Sequence, residues 1–130
     1  MSAYLLDTNV LLWLFLRSDR VKKSVRDKLA DPANTVYVSA VSTWEVAIKA
    51  ATGKLRLPGE PARYLPARIA RAKLSTLAVT LEHTYGVFAL PPHHSDPFDR
   101  LLVAQAQLEG LTIVTADRAL ARYDVRTLAV

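Results

Sequence analysis

Four acidic residues in this chain stand where a carboxylate can do chemistry, each close to the end of a short apolar run or the start of a helical one. Asp7 follows Tyr4-Leu5-Leu6, and Asp117 follows Ile113-Val114-Thr115-Ala116. Glu45 lies one turn into the helical segment that begins after Val36-Tyr37-Val38-Ser39, and Asp99 opens the segment from Phe98 to Glu109. In open α/β sheets ligands bind beyond the carboxyl ends of the strands, so a parallel sheet would gather these four residues at one edge. Crowded carboxylates repel one another, and cations relieve the repulsion. Hard divalent ions such as Mg²⁺ or Mn²⁺ take oxygen ligands. A pair of them about 3.5 to 4 Å apart activates a water and stabilises the leaving oxygen of a phosphodiester. The chemistry expected is hydrolytic phosphoryl transfer.

Each acid also has a plainer use. Asp7 and Asp117 suit helix N-caps, where a carboxylate accepts from unsatisfied backbone N–H groups. Ser42-Thr43-Trp44-Glu45 matches an S-x-x-E capping box. In Asp96-Pro97-Phe98-Asp99, Asp96 suits the N-cap, Pro97 the first helical position and Asp99 the first turn. Glu45 and Lys49 form an i, i+4 pair.

The elements that would position these residues alternate along the chain. Apolar runs at Ala3 to Leu6, Val36 to Val38, Thr76 to Val79 and Thr112 to Val114 predict buried strands, and Val125 to Leu128 an edge strand. Between them lie helix-period segments at Val10 to Leu16, Val21 to Leu29, Thr43 to Ala51, Ala62 to Ala72, Leu81 to Phe88 and Phe98 to Glu109, with a short turn at Arg118 to Tyr123. Gly53, Pro58-Gly59 and Gly110 supply the stops. Strand then helix, repeated, predicts an α/β sandwich with a mostly parallel sheet. With no repeat, low-complexity tract or linker, residues 1–130 are expected to form a single domain.

Composition bounds the possibilities. The chain has 130 residues, 51% apolar and 22% charged, and no cysteine, which excludes a disulfide scaffold, a Cys-based zinc site and thiol catalysis. The longest unbroken apolar stretch, Val10 to Leu16, is far shorter than the roughly 20 residues of a membrane helix. The early Asp7 and the lack of a basic leader argue against a secretory signal, so a cytoplasmic protein is expected. Seventeen Lys and Arg against twelve Asp and Glu give +5, which favours a polyanionic partner. Setting the four acids aside leaves 17 basic against 8 acidic residues, an acidic pit in a basic surface.

Other constellations point elsewhere only weakly. His93-His94 beside Ser95 and Asp96 suggests a metal site or dyad, but Pro91-Pro92 marks an exposed loop and no third ligand is regularly spaced, so a surface or substrate-edge role is expected. No G-x-S-x-G elbow, P-loop or G-x-G-x-x-G occurs. Trp13 and Trp44, at helical spacing with Leu and Val, are expected in the core.

Four motifs in order resemble the PIN-domain family, and within it the VapC-type toxins of bacterial toxin-antitoxin pairs. They are Leu5-Leu6-Asp7-Thr8-Asn9, the segment from Ser39 to Lys49, Asp96-Pro97-Phe98-Asp99-Arg100-Leu101-Leu102-Val103-Ala104-Gln105-Ala106, and Val114-Thr115-Ala116-Asp117. The resemblance runs from about Tyr4 to Leu128. It implies a three-layer α/β/α fold and an Mg²⁺- or Mn²⁺-dependent endoribonuclease inhibited by a cognate antitoxin. Asp7, Glu45, Asp99 and Asp117 fall on the family's acidic metal-binding positions, and Thr8, Asn9 and Thr115 on its surrounding polar ones. Asp96 either assists the site or only caps its helix. Homodimers, or larger toxin-antitoxin assemblies, are implied too, with Ala62 to Ala72 a candidate interface. Two alternatives stay open. One is a haloacid-dehalogenase-like phosphatase, whose D-x-D is here Asp7-Thr8-Asn9; the other is a non-catalytic RNA- or partner-binding module.

Overall fold

The computed structural model describes residues 1–130 and is built on five parallel strands: β1 (Ala3–Leu6), β2 (Thr35–Ser39), β3 (Ser75–Leu77), β4 (Thr112–Thr115) and β5 (Thr127–Ala129). Their order is β3-β2-β1-β4-β5, and all four pairings are parallel. The sheet is therefore wholly parallel where a mostly parallel one was expected; β5 is an edge strand, as anticipated from Val125 to Leu128, whereas β3, expected to be buried from Thr76 to Val79, is the other edge strand and is only partly buried. The register sets Leu5 beside Tyr37 on one side and Ile113 on the other.

Side chains alternate across a strand, and the apolar runs use both faces. Tyr4, Leu6, Val36, Val38 and Val114 enter one core, while Leu5 and Ile113 enter the other. Burying a Leu such as Leu5 or Leu6 completely contributes about 1.5 to 3 kcal/mol. The first core is covered by α1 (Thr8–Leu16), α2 (Lys23–Ala30) and α4 (Pro61–Arg71), through residues including Leu11, Phe15, Val25 and Leu65. The second is covered by α6 (Pro97–Glu109), through Leu102, Val103, Ala104 and Ala106, with α5 (Leu81–Gly86) packed on α6. Helix α3 (Ala40–Ala51) touches both cores, through Val46 and Val41. Helices on both faces of one sheet make the α/β/α sandwich.

Local chemistry sets the ends of these helices. Asp7 caps α1 by accepting from Val10 N at 2.8 Å. Asp96 caps α6 by accepting from Phe98 N and Asp99 N, with Pro97 in the first turn. Gly110 closes α6 at φ 68°, a left-handed conformation in which a Cβ is strained. Two expectations are corrected here. Helix α3 begins at Ala40, three residues before Thr43, and its cap is Ser39, which accepts from Val41 N. Ser42 and Glu45 therefore lie inside the helix and form no capping box; the reciprocal box is made by Thr80 and His83 at the start of α5. Trp44 is 58% exposed rather than in the core, resting edge-on against Phe98. Trp13 is half-buried, with Arg20 over its ring.

A buried polar chain joins the layers on the α6 side. Ser39 Oγ donates to Gln105 Oε1 at 2.6 Å, and Gln105 Nε2 donates to the Ala78 carbonyl at 3.3 Å. The same amide nitrogen is 3.3 Å from His83 Nδ1, and His83 Nε2 is 2.9 Å from the Glu109 carboxylate. Gln105 and Ser39 are buried, so an apolar side chain at position 105 leaves the Ser39 hydroxyl proton without its acceptor. Gln105→Leu is expected to lower stability by about 1 to 3 kcal/mol, measured by urea unfolding. An unchanged midpoint would show that the chain of bonds contributes nothing.

Candidate functional site

Strand order brings the four acids to one region. The chain leaves central β1 to build β2 and β3 on one side, then returns to build β4 and β5 on the other. The seam between β1 and β4 is thus a topological switch point, the place where open parallel sheets hold their ligands. Asp7 follows β1, Asp117 follows β4 by two residues, Glu45 projects from the helix after β2, and Asp99 sits in the first turn of α6.

Asp7 is buried and fixed at both oxygens. Oδ1 accepts from Val10 N, Oδ2 accepts from the Thr115 hydroxyl across the seam, and its own N–H donates to the Val114 carbonyl at 3.1 Å. Burial raises its pKa above the usual carboxylate value; the Thr115 and Val10 bonds oppose this, and the nearby Asp117 and Glu45 charges add to it. Asp99 is pushed from 3.8 up to about 7, first by burial and next by Asp96, with Asp7 and Glu45 contributing and the His94 ring opposing. The four acids therefore share one electrostatic neighbourhood.

Glu45 is buried and pairs with Lys49 at 2.8 Å, the pair expected from their spacing. Thr8 is also buried, its hydroxyl donating to Ser42 Oγ at 3.0 Å, so it bonds to α3 rather than to an acid. Thr115 contacts Asp7 directly and accepts from Asp117 N at 2.9 Å. Asn9 is exposed. Asp96 serves as the α6 cap, and its charge is among the causes that raise the Asp99 pKa.

One site residue escaped the sequence reading. The ring of His94, expected at the surface or at a substrate edge, points into the cluster: Nε2 is 2.8 Å from Asp117 Oδ2 and 3.2 Å from Asp99 Oδ2. One ligating atom from each of His94, Asp99 and Asp117 lies within 4.8 Å of the others. The prolines before it and the irregular spacing hid this; the position of His94 just ahead of the α6 cap was the available signal. His93 turns away, edge-on to Tyr123 at 5.0 Å.

As for what such a site can hold, the donors are carboxylate oxygens and one imidazole, and Glu45 alone of the four acids is paired with a lysine or arginine. Negative charge in excess of its partners, presented by oxygen atoms, fits a hard divalent cation. The Asp99 shift also fixes a pH dependence of the metal-free protein. A raised carboxyl pKa costs nothing below about pH 3.8, and its penalty on folding grows as pH rises and is complete above about pH 7. With chelator present, Asp99→Asn is expected to stabilise the chain at about pH 8 by about 1 to 2 kcal/mol, partial exposure keeping the gain small. Toward acid the gain should vanish. Thermal unfolding of both proteins across pH checks this, and a gain that grows toward acid contradicts the assignment.

Comparisons with known proteins bear on the fold and the family. Ribonuclease VapC16 from Mycobacterium tuberculosis (strain ATCC 25618 / H37Rv) is 39% identical over 69 residues, 53% of this chain and 48% of that protein; the match spans about half the length of this relative. VapBC2 from Rickettsia felis, solved bound to a DNA fragment from their promoter, superposes with a TM-score of 0.76 at 18% identity, covering 98% of each chain. DNA-bound VapBC from Salmonella typhimurium gives 0.70 at 18% identity, over 99% of this chain and 98% of that one. FitAcB from Neisseria gonorrhoeae gives 0.67 at 23% identity, over 96% of each. At these identities the structural likeness establishes the fold, the three-layer sandwich described above. The PIN domain profile matches residues 4–126, nearly the whole sequence, and the chain belongs to the PIN domain family.

Proposed function

We propose that this chain is a metal-dependent endoribonuclease, the toxin of a toxin-antitoxin pair, hydrolysing RNA phosphodiester bonds in the cytoplasm. The observation that carries the reading is the gathering of Asp7, Glu45, Asp99 and Asp117 at the β1/β4 seam, where burial first, then Asp96, with Asp7 and Glu45 adding, lifts Asp99 to about 7. In this reading those four residues hold Mg²⁺ or Mn²⁺, which supplies Lewis acidity for activating water and for stabilising the leaving oxygen.

The chain's own residues supply the rest. Thr115 and the α1 amide at Val10 fix the Asp7 carboxylate in a single orientation. Lys49 balances part of the charge of Glu45. The exposed Arg17, Arg20, Lys22, Lys23, Arg26 and Lys28 belong to the basic excess that suits an RNA backbone. An antitoxin partner follows from the likeness to VapBC complexes, and a homodimer from the family resemblance. Membership of the PIN family favours this reading over the phosphatase alternative. No helix is long and apolar enough to cross a membrane.

Incubating the purified chain with total cellular RNA in Mg²⁺, Mn²⁺ or chelator tests the proposal. Discrete fragments are expected with metal only, and Asp7→Asn or Asp99→Asn should reduce their rate of formation by about a hundredfold or more. Fragments that survive chelation or appear undiminished in the variants would overturn it. RNA binding without cleavage under any metal would put the binding-module reading in its place.

A further inference from the structure

We propose that His94 is a positioning residue, an N–H donor that holds Asp99 and Asp117 toward each other, and is not itself a metal ligand. The inference rests on the nuclease reading only for what the held carboxylates do. Its own basis is the hydrogen bonding of the ring.

The backbone N–H of Asp96 donates to His94 Nδ1 at 3.0 Å. An amide can only donate, so Nδ1 presents its lone pair, and the N–H of the ring is on Nε2. That is the nitrogen 2.8 Å from Asp117 Oδ2 and 3.2 Å from Asp99 Oδ2. Both carboxylates accept, and one N–H is shared between them. The proximity of His94, Asp99 and Asp117 resembles a three-ligand cage. Coordination through Nε2, however, would move the proton to Nδ1, where it would face the proton of the Asp96 amide. The same amide bond that orients the ring thus excludes it from ligation.

The ring is held by its surroundings. His94 N donates to the Tyr123 hydroxyl at 2.9 Å, and Tyr123 is buried. Arg100 donates to that hydroxyl at 3.2 Å, to the Pro91 carbonyl at 2.9 Å and to the Leu90 carbonyl at 3.3 Å, fastening the loop that carries His94 to α6. Asp99 and Asp117 belong to different elements, one to α6 and one to the turn after β4. The Nε2–H is the link between them, and it offsets part of the repulsion among the acids. Without it the more exposed Asp117 keeps only the Ala119 N–H on its Oδ1.

Two measurements on the full chain test this. Long-range ¹H–¹⁵N spectra of the labelled protein, with and without Mg²⁺, should show the Nε2–H tautomer of His94 in both states. Calorimetric titration with Mn²⁺ should show that His94→Ala weakens binding about tenfold or more, whereas His94→Gln, whose amide N–H₂ reaches the Nε2 position, stays within about threefold of the wild type. Loss of the Nε2 proton on adding Mg²⁺, or full Mn²⁺ affinity in His94→Ala, would overturn the proposal. Should His94→Ala fail to fold, the wild-type spectra decide alone. If the tautomer and affinities follow this pattern while RNA stays intact, the nuclease reading falls and the role of His94 stands.

Discussion

Everything at the carboxyl edge of the sheet answers to one electrostatic problem, several carboxylates drawn together where water is partly excluded. Asp7 is buried at the end of the central strand, and desolvation disfavours its charged form more strongly than any neighbour does. The fold meets that cost with fixed donors. The Thr115 hydroxyl and the Val10 amide each take one oxygen, and both are themselves anchored, one in β4 and one in the first turn of α1. Asp99 has no such pair of donors to its carboxylate, and it shows the larger consequence, a pKa near 7.

The topology makes the problem unavoidable. With β1 in the middle, flanked by β2 and β4, the residues that follow these three strands emerge side by side. Alternation within the strands then divides the apolar residues into two cores, and α1 and α3 begin directly beyond the ends of β1 and β2. Polar residues such as Ser39 and Thr115, buried at the strand ends, do not add apolar surface; they hold neighbouring side chains, Gln105 and Asp7, in place. Rigidity of the edge is bought with polar bonds inside a largely apolar body.

What the sequence revealed is what local chemistry writes. Apolar runs, proline at a first helical position, glycine at φ 68° and the Asp96 cap are each decided within a few residues, so strands and helices were legible to within a few positions. The acids could be singled out for the same reason. Residues whose fate depends on distant partners were not legible. Ser42 and Glu45 satisfy a local capping pattern, yet Ser39, bonded to Gln105 sixty-six positions away, starts the helix earlier. Trp44 has helical spacing with apolar neighbours but falls on the outer side of α3, against Phe98. His94 lies in the loop that Pro91-Pro92 marked, but its contact with Asp117, twenty-three positions downstream, was not legible. Strand order, which brings them together, leaves no trace in the runs themselves.

Capping and metal binding, which compete as explanations when a sequence is read one residue at a time, are compatible uses of the same carboxylate. Each carboxylate oxygen has room for two acceptor contacts. Asp7 spends one on each oxygen in holding Val10 N and the Thr115 hydroxyl. Asp117 spends one on Ala119 N and one on the His94 ring. The remaining lone pairs have directions set by those bonds, so the cap does the orienting that a divalent ion with strict geometry demands. A helix cap at the end of a parallel strand is therefore a half-built ligand. In the proposed reading, the distinction between a structural acid and a functional one then lies in whether other carboxylates lie close enough to raise its pKa, as Asp117 and Glu45 do for Asp7.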